Sequence, residues 1–475
     1  MSADSLSAAG PGPALYALDE IVTATGGQAR NCAAGPVSAV TIDSREVPAD
    51  ALFVAIRGDR FDGHDFVAQA IAAGAKAALV SQSRADELSG NLPLIVVPDA
   101  LAGLEVLARH ARARADATCV GVTGSVGKTS TKEALRTVLA QHGPTHASIR
   151  SFNNHWGVPL MVARMPAGTR FGVFEMGMSA PGEIAPLSRI ARPHVAIITA
   201  IAPVHLEFFD SVAGIADAKA EIFDGLEPGG LAVLNIDHDY AERLTDAARA
   251  VGARVLTYGF AEGADVRIRD HAAQASGNTA RLSGDGLDLA ISLAAPGRHA
   301  VSNGVAALLA ARELGIAADD AARTLAGIAP PEGRGAAHRL GPEPRPLVLV
   351  DESYNANPAS MRAALSVFSH HARGDGRKVL VLADMLELGP QANSMHRDLA
   401  DAVLAAGPDA VYLVGPHMRA LAEALPASIV AGWTHSAHEI AGQVLAALAY
   451  GDTVMVKGSN GLKLGALVAR IREQF

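Results

Sequence analysis

Twelve residues, GVTGSVGKTSTK from Gly121 to Lys132, constrain this chain more than any other stretch. The apolar run TCVGVT reads as a buried strand, GSVG as a tight turn and KTSTKEALRTVLAQ as a helix. A glycine-rich turn between a strand and a helix N-terminus aims backbone N–H groups at an anion, and the helix end adds partial positive charge. Lys128 can bring a point charge to the outer phosphates of a nucleotide, and the Thr129 hydroxyl can sit on Mg²⁺. The spacing departs from the common phosphate loop, G-x-x-x-x-G-K-[ST], because Val122 stands where the first glycine should be.

A strand–loop–helix unit belongs to α/β architecture, and the rest of the chain repeats the rhythm. A first block carries AVTI, LFVAI, AALV and LIVV, then the helical LAGLEVLARHARARA. A second opens on the loop strand and adds FGVFEMG, HVAIITA and LAVLNID, short apolar runs of the kind found in parallel sheets. It closes near Pro330, Pro331, Gly333 and Gly335, a hinge composition. A third carries LVLVDE, KVLVLAD, AVYLVG and TVMVKG, each followed by a helical pattern. That predicts a small doubly wound sheet, with ligands at the carboxyl ends of its strands. The expected domains are 1–114, 115–333 and 334–475.

With 475 residues, 49% of them hydrophobic, the chain can bury more than one core. A net charge of −9 argues against a nucleic-acid partner, which would need a basic surface. No apolar run approaches the roughly 20 residues that span a bilayer, so no membrane role is expected. The stretch MSADSLSAAGPGP has no basic or apolar region and reads as a disordered lead-in, not a signal peptide. Cys32 and Cys119 lack metal-ligand spacing, Cys119 reads as a core residue, and a reducing cytoplasm fits both.

Carboxylates at strand ends are the next candidates. Glu175 closes FGVFE, where it is either a Mg²⁺ ligand or a solvated side chain. His205 and Glu207 follow another buried strand, as site residues or as packing. Lys219 lies on a predicted helix, where spacing alone assigns it no role.

Together these pieces resemble the Mur ligases, which build the peptide of bacterial cell-wall precursors. The resemblance covers nearly the whole chain after the first dozen residues. It rests on TGSVGKTS, on DESYNANPASMRAAL from Asp351 to Leu365, and on TIDSR, FVAIRGDRFDGHDF, NNHWGVPL, EMGMSAPGEI, DMLELG and VKGSNGLK. It implies a three-domain α/β protein with a central phosphate-loop ATPase domain on a mainly parallel sheet and a C-terminal Rossmann-like domain. It implies an ATP- and Mg²⁺-dependent amide ligase, monomeric and cytoplasmic, that joins D-alanyl-D-alanine to UDP-N-acetylmuramoyl-tripeptide through an acyl phosphate.

The resemblance also implies roles for residues. Asp43, Ser44, Arg45, Asp62, Gly63 and His64 would hold the UDP end, and Asn153, Asn154, Lys457 and Ser459 would lie on the substrate side. Thr123, Gly124, Ser125, Val126, Gly127, Lys128, Thr129 and Ser130 would hold ATP with Asn303, Arg334, Glu352, Tyr354, Asn355 and Asn357. Thr129, Glu175, His205 and Lys219 would form the metal site, Lys219 as a carbamate, and Lys128, Glu175, His205 and Lys219 would carry the chemistry. Ala300, Glu352 and Ala383 depart from the usual family residues. Two alternatives stay open: another amide ligase of the superfamily, such as a folylpolyglutamate synthase, and a phosphate-loop NTPase switch.

Overall fold

The apolar runs form strands, and the strands assemble into three large sheets, each with its own order. In the first, Gln28–Arg30, Leu94–Val97, Ala77–Ser81, Leu52–Val54 and Val40–Thr41 lie side by side, parallel except at the Gln28–Arg30 edge. The computed structural model describes residues 14–58, 60–88, 90–149, 151–204, 206–274, 277–371 and 376–475. The lead-in through Pro13 and the candidate His205 lie outside the described residues.

The central sheet has nine strands. Val266–Gln274, Arg254–Gly259, Leu231–Asn235, Val195–Ile198, Thr118–Thr123, Phe171–Glu175 and Thr145–Ala147 run parallel in that order. Gly277–Gly284 and Leu287–Leu293 extend it as antiparallel strands, which carry no continuous apolar run in the sequence. The third sheet has six strands, parallel except for the Ala336–Leu340 edge, with Thr453–Lys457 between Leu347–Glu352 and Lys378–Ala383.

The helix Ala100–Arg114 joins the first sheet to the second. The Asp99 carboxylate accepts from Ala102 N–H at 2.8 Å and caps it. Its buried face, Leu104, Leu107, Ala108 and Ala111, belongs to a core that runs from Tyr16 and Ile21 to Met161, Ile184 and Ile198. Each fully buried leucine there contributes about 1.5–3 kcal/mol. Arg112 donates to the carbonyls of Ala191 and Arg192 at 2.8 and 3.0 Å, and Arg164 donates to that of Val40 at 2.6 Å. The first and central sheets therefore share one core. The third sheet keeps separate cores on its two faces. The chain enters it through residues 327–335, which hold no helix or strand. Among the described residues no helix is long and apolar enough to cross a membrane.

Candidate active site

The loop strand Thr118–Thr123 lies between Phe171–Glu175 and Val195–Ile198. The chain leaves it toward one side of the sheet and later resumes on the other, so its carboxyl end is a topological switch point. Residues 124–127, 176–177 and 199–204 meet there. Gly124 and Gly127 have φ of +142° and +89°, and a Cβ on Gly127 would lie 2.4 Å from Asn303 Oδ1. Gly127 precedes the helix Lys128–Ala140 and offers it no side-chain cap. The first-turn N–H groups are left for an anion.

Lys128 is half-buried and its Nζ donates to Gly124 O at 2.7 Å. Burial pushes its pKa below the usual lysine value; Glu175 opposes that shift and Arg334 adds to it. Glu175 is only 2% exposed. Its two oxygens accept from Thr129 Oγ1 at 2.9 Å and from Asn153 Nδ2 at 2.8 Å, so three predicted residues meet on one carboxylate. Asn154 lines the same cleft, and its Oδ1 accepts from Gly157 N–H at 2.9 Å.

Lys219 lies on the helix Val212–Ala220 and is 1% exposed. Among the described residues its ammonium has no hydrogen bond and no ion pair. Burial, then the charge of Lys128, holds its pKa well below the usual lysine value, against the pull of Glu221, Glu183 and Glu175. An ordinary salt bridge to Glu221 is absent. That carboxylate accepts from the N–H groups of Gly182, Ile184 and Ala185 at 2.6, 3.0 and 3.1 Å.

The third domain faces the loop across a cleft of ≈ 700 Å³. Arg334, Glu352, Tyr354, Asn355, Asn357 and Lys457 line it from that side, and Ser125–Ser130 and Asn303 from the other. The Arg334 guanidinium lies 4.1 Å from the Tyr354 ring centre, and the Tyr354 hydroxyl meets Ser151 Oγ of the central domain. Lys457 Nζ donates to Glu352 Oε2 at 3.0 Å and to Asn355 O at 3.2 Å. Asn357 and Ser360 form a capping box on the helix Pro358–Ser369, with the proline at its first position. An apolar chamber of ≈ 70 Å³, walled in part by Leu293, Ala300, Ile328 and Val367, opens beside Asn303 and Arg334.

Several predicted residues do not reach the cleft. Ser459 is 3% exposed and lies behind it, its hydroxyl held by Ala356 O at 3.3 Å and Leu386 N–H at 2.9 Å. Thr123 Oγ1 donates to Met176 O at 2.8 Å, behind the loop; Ser125 does line the cleft, but its hydroxyl is bound to the backbone of Ala202. In the first domain, Arg45 folds back on Asp43 through hydrogen bonds of 2.6 and 2.8 Å, in the turn that includes Ser44. His64 is 2% exposed, and its Nε2 accepts from Ser81 N–H at 2.9 Å, so Nδ1 donates to Asp62 at 2.6 Å. Gly63 packs on residue 56, where an added Cβ would lie 2.7 Å from the Ile56 carbonyl oxygen.

The cleft also holds residues that sequence reading missed. Asn235, Asp237, Phe260 and Arg298 line it. Arg298 stacks 3.8 Å from the Phe260 ring centre, and Asp237 accepts from Phe260 and Ala261 N–H at 2.8 and 2.9 Å. The available signal was Asp237 just past LAVLN, a carboxylate at a strand end like Glu175.

Comparison with known proteins adds to this geometry. Residues 36–113 match the Mur ligase family catalytic domain, 122–311 the Mur ligase middle domain and 338–460 the Mur ligase glutamate ligase domain. UDP-N-acetylmuramoyl-tripeptide–D-alanyl-D-alanine ligase of Bacillus subtilis is 34% identical over 92% of this chain and 93% of that protein. The Escherichia coli enzyme of that name is 34% identical over 92% and 94%. The crystal structure of MurF from Acinetobacter baumannii matches with TM-score 0.85 and 28% identity, over 97% of this chain and 100% of that one. MurF from Thermotoga maritima, solved in complex with ADP, matches with TM-score 0.77 and 27% identity, over 92% and 97%. A folylpolyglutamate synthase structure at 15% identity shares the fold alone. By its three matched domains and its likeness along nearly the whole chain, this protein belongs to the Mur ligase family, within the group of UDP-N-acetylmuramoyl-tripeptide–D-alanyl-D-alanine ligases.

Proposed function

We propose that this chain is an ATP-dependent ligase that joins D-alanyl-D-alanine to UDP-N-acetylmuramoyl-tripeptide, the last peptide-building step of peptidoglycan precursor synthesis. One observation carries the reading: an uncapped glycine loop with Lys128, the Thr129–Glu175–Asn153 set and the YNANP edge all face one cleft.

Joining a carboxylate to an amine in water needs activation. The γ-phosphoryl group of ATP passes to the tripeptide carboxylate, giving an acyl phosphate. ADP is the leaving group of that transfer; the dipeptide amine then attacks the acyl carbonyl, the C–N bond forms as the nitrogen loses a proton, the bond from that carbon to the phosphate oxygen breaks, and phosphate leaves. Two anions must approach each other first. Lys128 and the loop N–H groups lower that repulsion, and each such donor is worth about 10²–10³ in rate. Asn303, Arg334 and the apolar chamber suit the nucleotide's base end. Thr129 Oγ1 and the Glu175 carboxylate are oxygen donors of the kind Mg²⁺ takes, and they would hold the ion with His205 and Lys219. When bound, the ion would screen phosphate charge.

Lys219 completes that donor set as a carbamate. A lysine this buried, with no hydrogen bond or ion pair among the described residues and its pKa pushed well down, favours the neutral amine, the form that would add to CO₂ with loss of a proton. The turn at Asp43, Ser44 and Arg45 takes the UDP end, shaped from behind by Asp62, Gly63 and His64. The domains divide near residues 114 and 333. The active unit is a monomer, and its place is the cytoplasm, where ATP is.

The test supplies UDP-N-acetylmuramoyl-tripeptide, D-alanyl-D-alanine and Mg-ATP and looks for the pentapeptide product by mass. No product, with brisk ATP hydrolysis by the enzyme alone, would instead support the NTPase switch.

A further inference from the structure

The loop that faces the phosphates owes its shape to a neighbouring segment. Gly124 and Gly127 contribute no side chains and adopt left-handed φ values. Residues 199–202 supply the constraints. Thr199 N–H donates to Thr123 O at 3.0 Å, and Ser125 N–H donates to Ala200 O at 2.8 Å. Ser125 Oγ accepts from Ala202 N–H and donates to Ala202 O, both at 3.0 Å. Thr199 Oγ1 lies 2.5 Å from Val126 O and 3.2 Å from Thr123 O. A hydroxyl has one hydrogen to donate, and the shorter contact takes it. Thr199 is 2% exposed, and a Cβ on Gly124 would fall 2.1 Å from its Oγ1, so hydroxyl and glycine are fitted to each other.

The bond to Val126 O has a directional consequence. A peptide group is planar and trans, so its C=O and N–H point opposite ways. Tying the Val126 carbonyl to Thr199 aims the Gly127 N–H away from Thr199. It also keeps a carbonyl oxygen from turning toward the phosphates, where its partial negative charge would repel them. We infer that Thr199 is a positioning residue for nucleotide binding, its hydroxyl fixing the Val126–Gly127 peptide so that the loop presents N–H groups to the anion. This rests on the nucleotide reading of the cleft.

The experiment compares Thr199→Val, which keeps the shape and loses the donor, with Thr199→Ser, which keeps the hydroxyl. Mg-ADP affinity is measured by calorimetry, alongside the ATP and tripeptide KM values and the melting temperature. One lost hydrogen bond in the loop corresponds to about a tenfold change. Thr199→Val should weaken Mg-ADP binding and raise the ATP KM by about that factor, more than kcat falls. The tripeptide KM and melting temperature should hold, and Thr199→Ser should stay near wild type. Unchanged Mg-ADP affinity in Thr199→Val overturns the role. So does equal loss in both variants with a lowered melting temperature, which marks a merely structural residue. Failure of the wild-type protein to bind Mg-ADP would instead remove the nucleotide reading itself, and this role with it.

Discussion

At both Lys128 and Lys219, burial pushes the pKa below the usual lysine value. If Lys128 faces the transferring phosphoryl group as proposed, Lys128→Ala should abolish pentapeptide formation while circular dichroism and melting stay those of the folded protein. Normal turnover by a folded variant would remove the loop from the mechanism. Lys219 has no partner among the described residues, and its surroundings favour the neutral amine. Lys219→Ala should be nearly inactive, and formate or acetate should restore part of the rate by putting a carboxylate where the carbamate would be. Wild-type activity without the added anion would sink the carbamate. The sequence placed Lys219 on a helix but could not show that the helix buries it. Likewise nothing near Ser125 shows that its hydroxyl is bound to a residue 77 positions away.

Among the elements, the parallel strands were legible because both faces are covered, which forces continuous Val, Ile and Leu. The hairpin Gly277–Gly284 and Leu287–Leu293 was not, because its burial alternates: Ala280 and Leu282 face in, Arg281 faces out. The turn Gly284-Asp285-Gly286 was its visible signal. The run FDGHDF was legible as a motif, but its anatomy is that of a turn anchored by one buried side chain, His64, with Phe61 and Asp65 exposed. Burial raises the Asp62 pKa, yet hydrogen bonds from the His64 backbone and ring, with the Arg84 charge, hold it below the ordinary value. A depressed carboxylate adds stability that is complete above its unfolded pKa of about 3.9 and is lost as pH falls through the lower folded value. Asp62→Ala should therefore cost about 1–3 kcal/mol at pH 7 in urea melts. The gap from wild type should narrow as pH falls below about 3.9. A gap independent of pH would mean that the carboxylate's charge contributes nothing.

At the scale of the molecule, the third domain shares no core with the other two among the described residues, and a Tyr354–Ser151 contact joins it to the central domain across the cleft. Closure there would keep water from the acyl phosphate. Tyr354→Phe removes the hydroxyl and should loosen that closure, so that more than one phosphate is released per dipeptide joined. A ratio of one in the variant would show that the contact does not guard the intermediate. The continuous packing from Tyr16 to Ile198 has a different consequence. If the first domain holds the UDP end, the span from that anchor to the phosphate loop cannot stretch, and the enzyme works as a ruler for its substrate. One residue fewer shortens an extended peptide by about 3.3–3.6 Å, more than the length of a hydrogen bond. UDP-N-acetylmuramoyl-dipeptide should therefore bind without triggering phosphate release, because its carboxylate stops short of the γ-phosphate. The length of the peptide, as much as its chemistry, would then decide when the pentapeptide is finished.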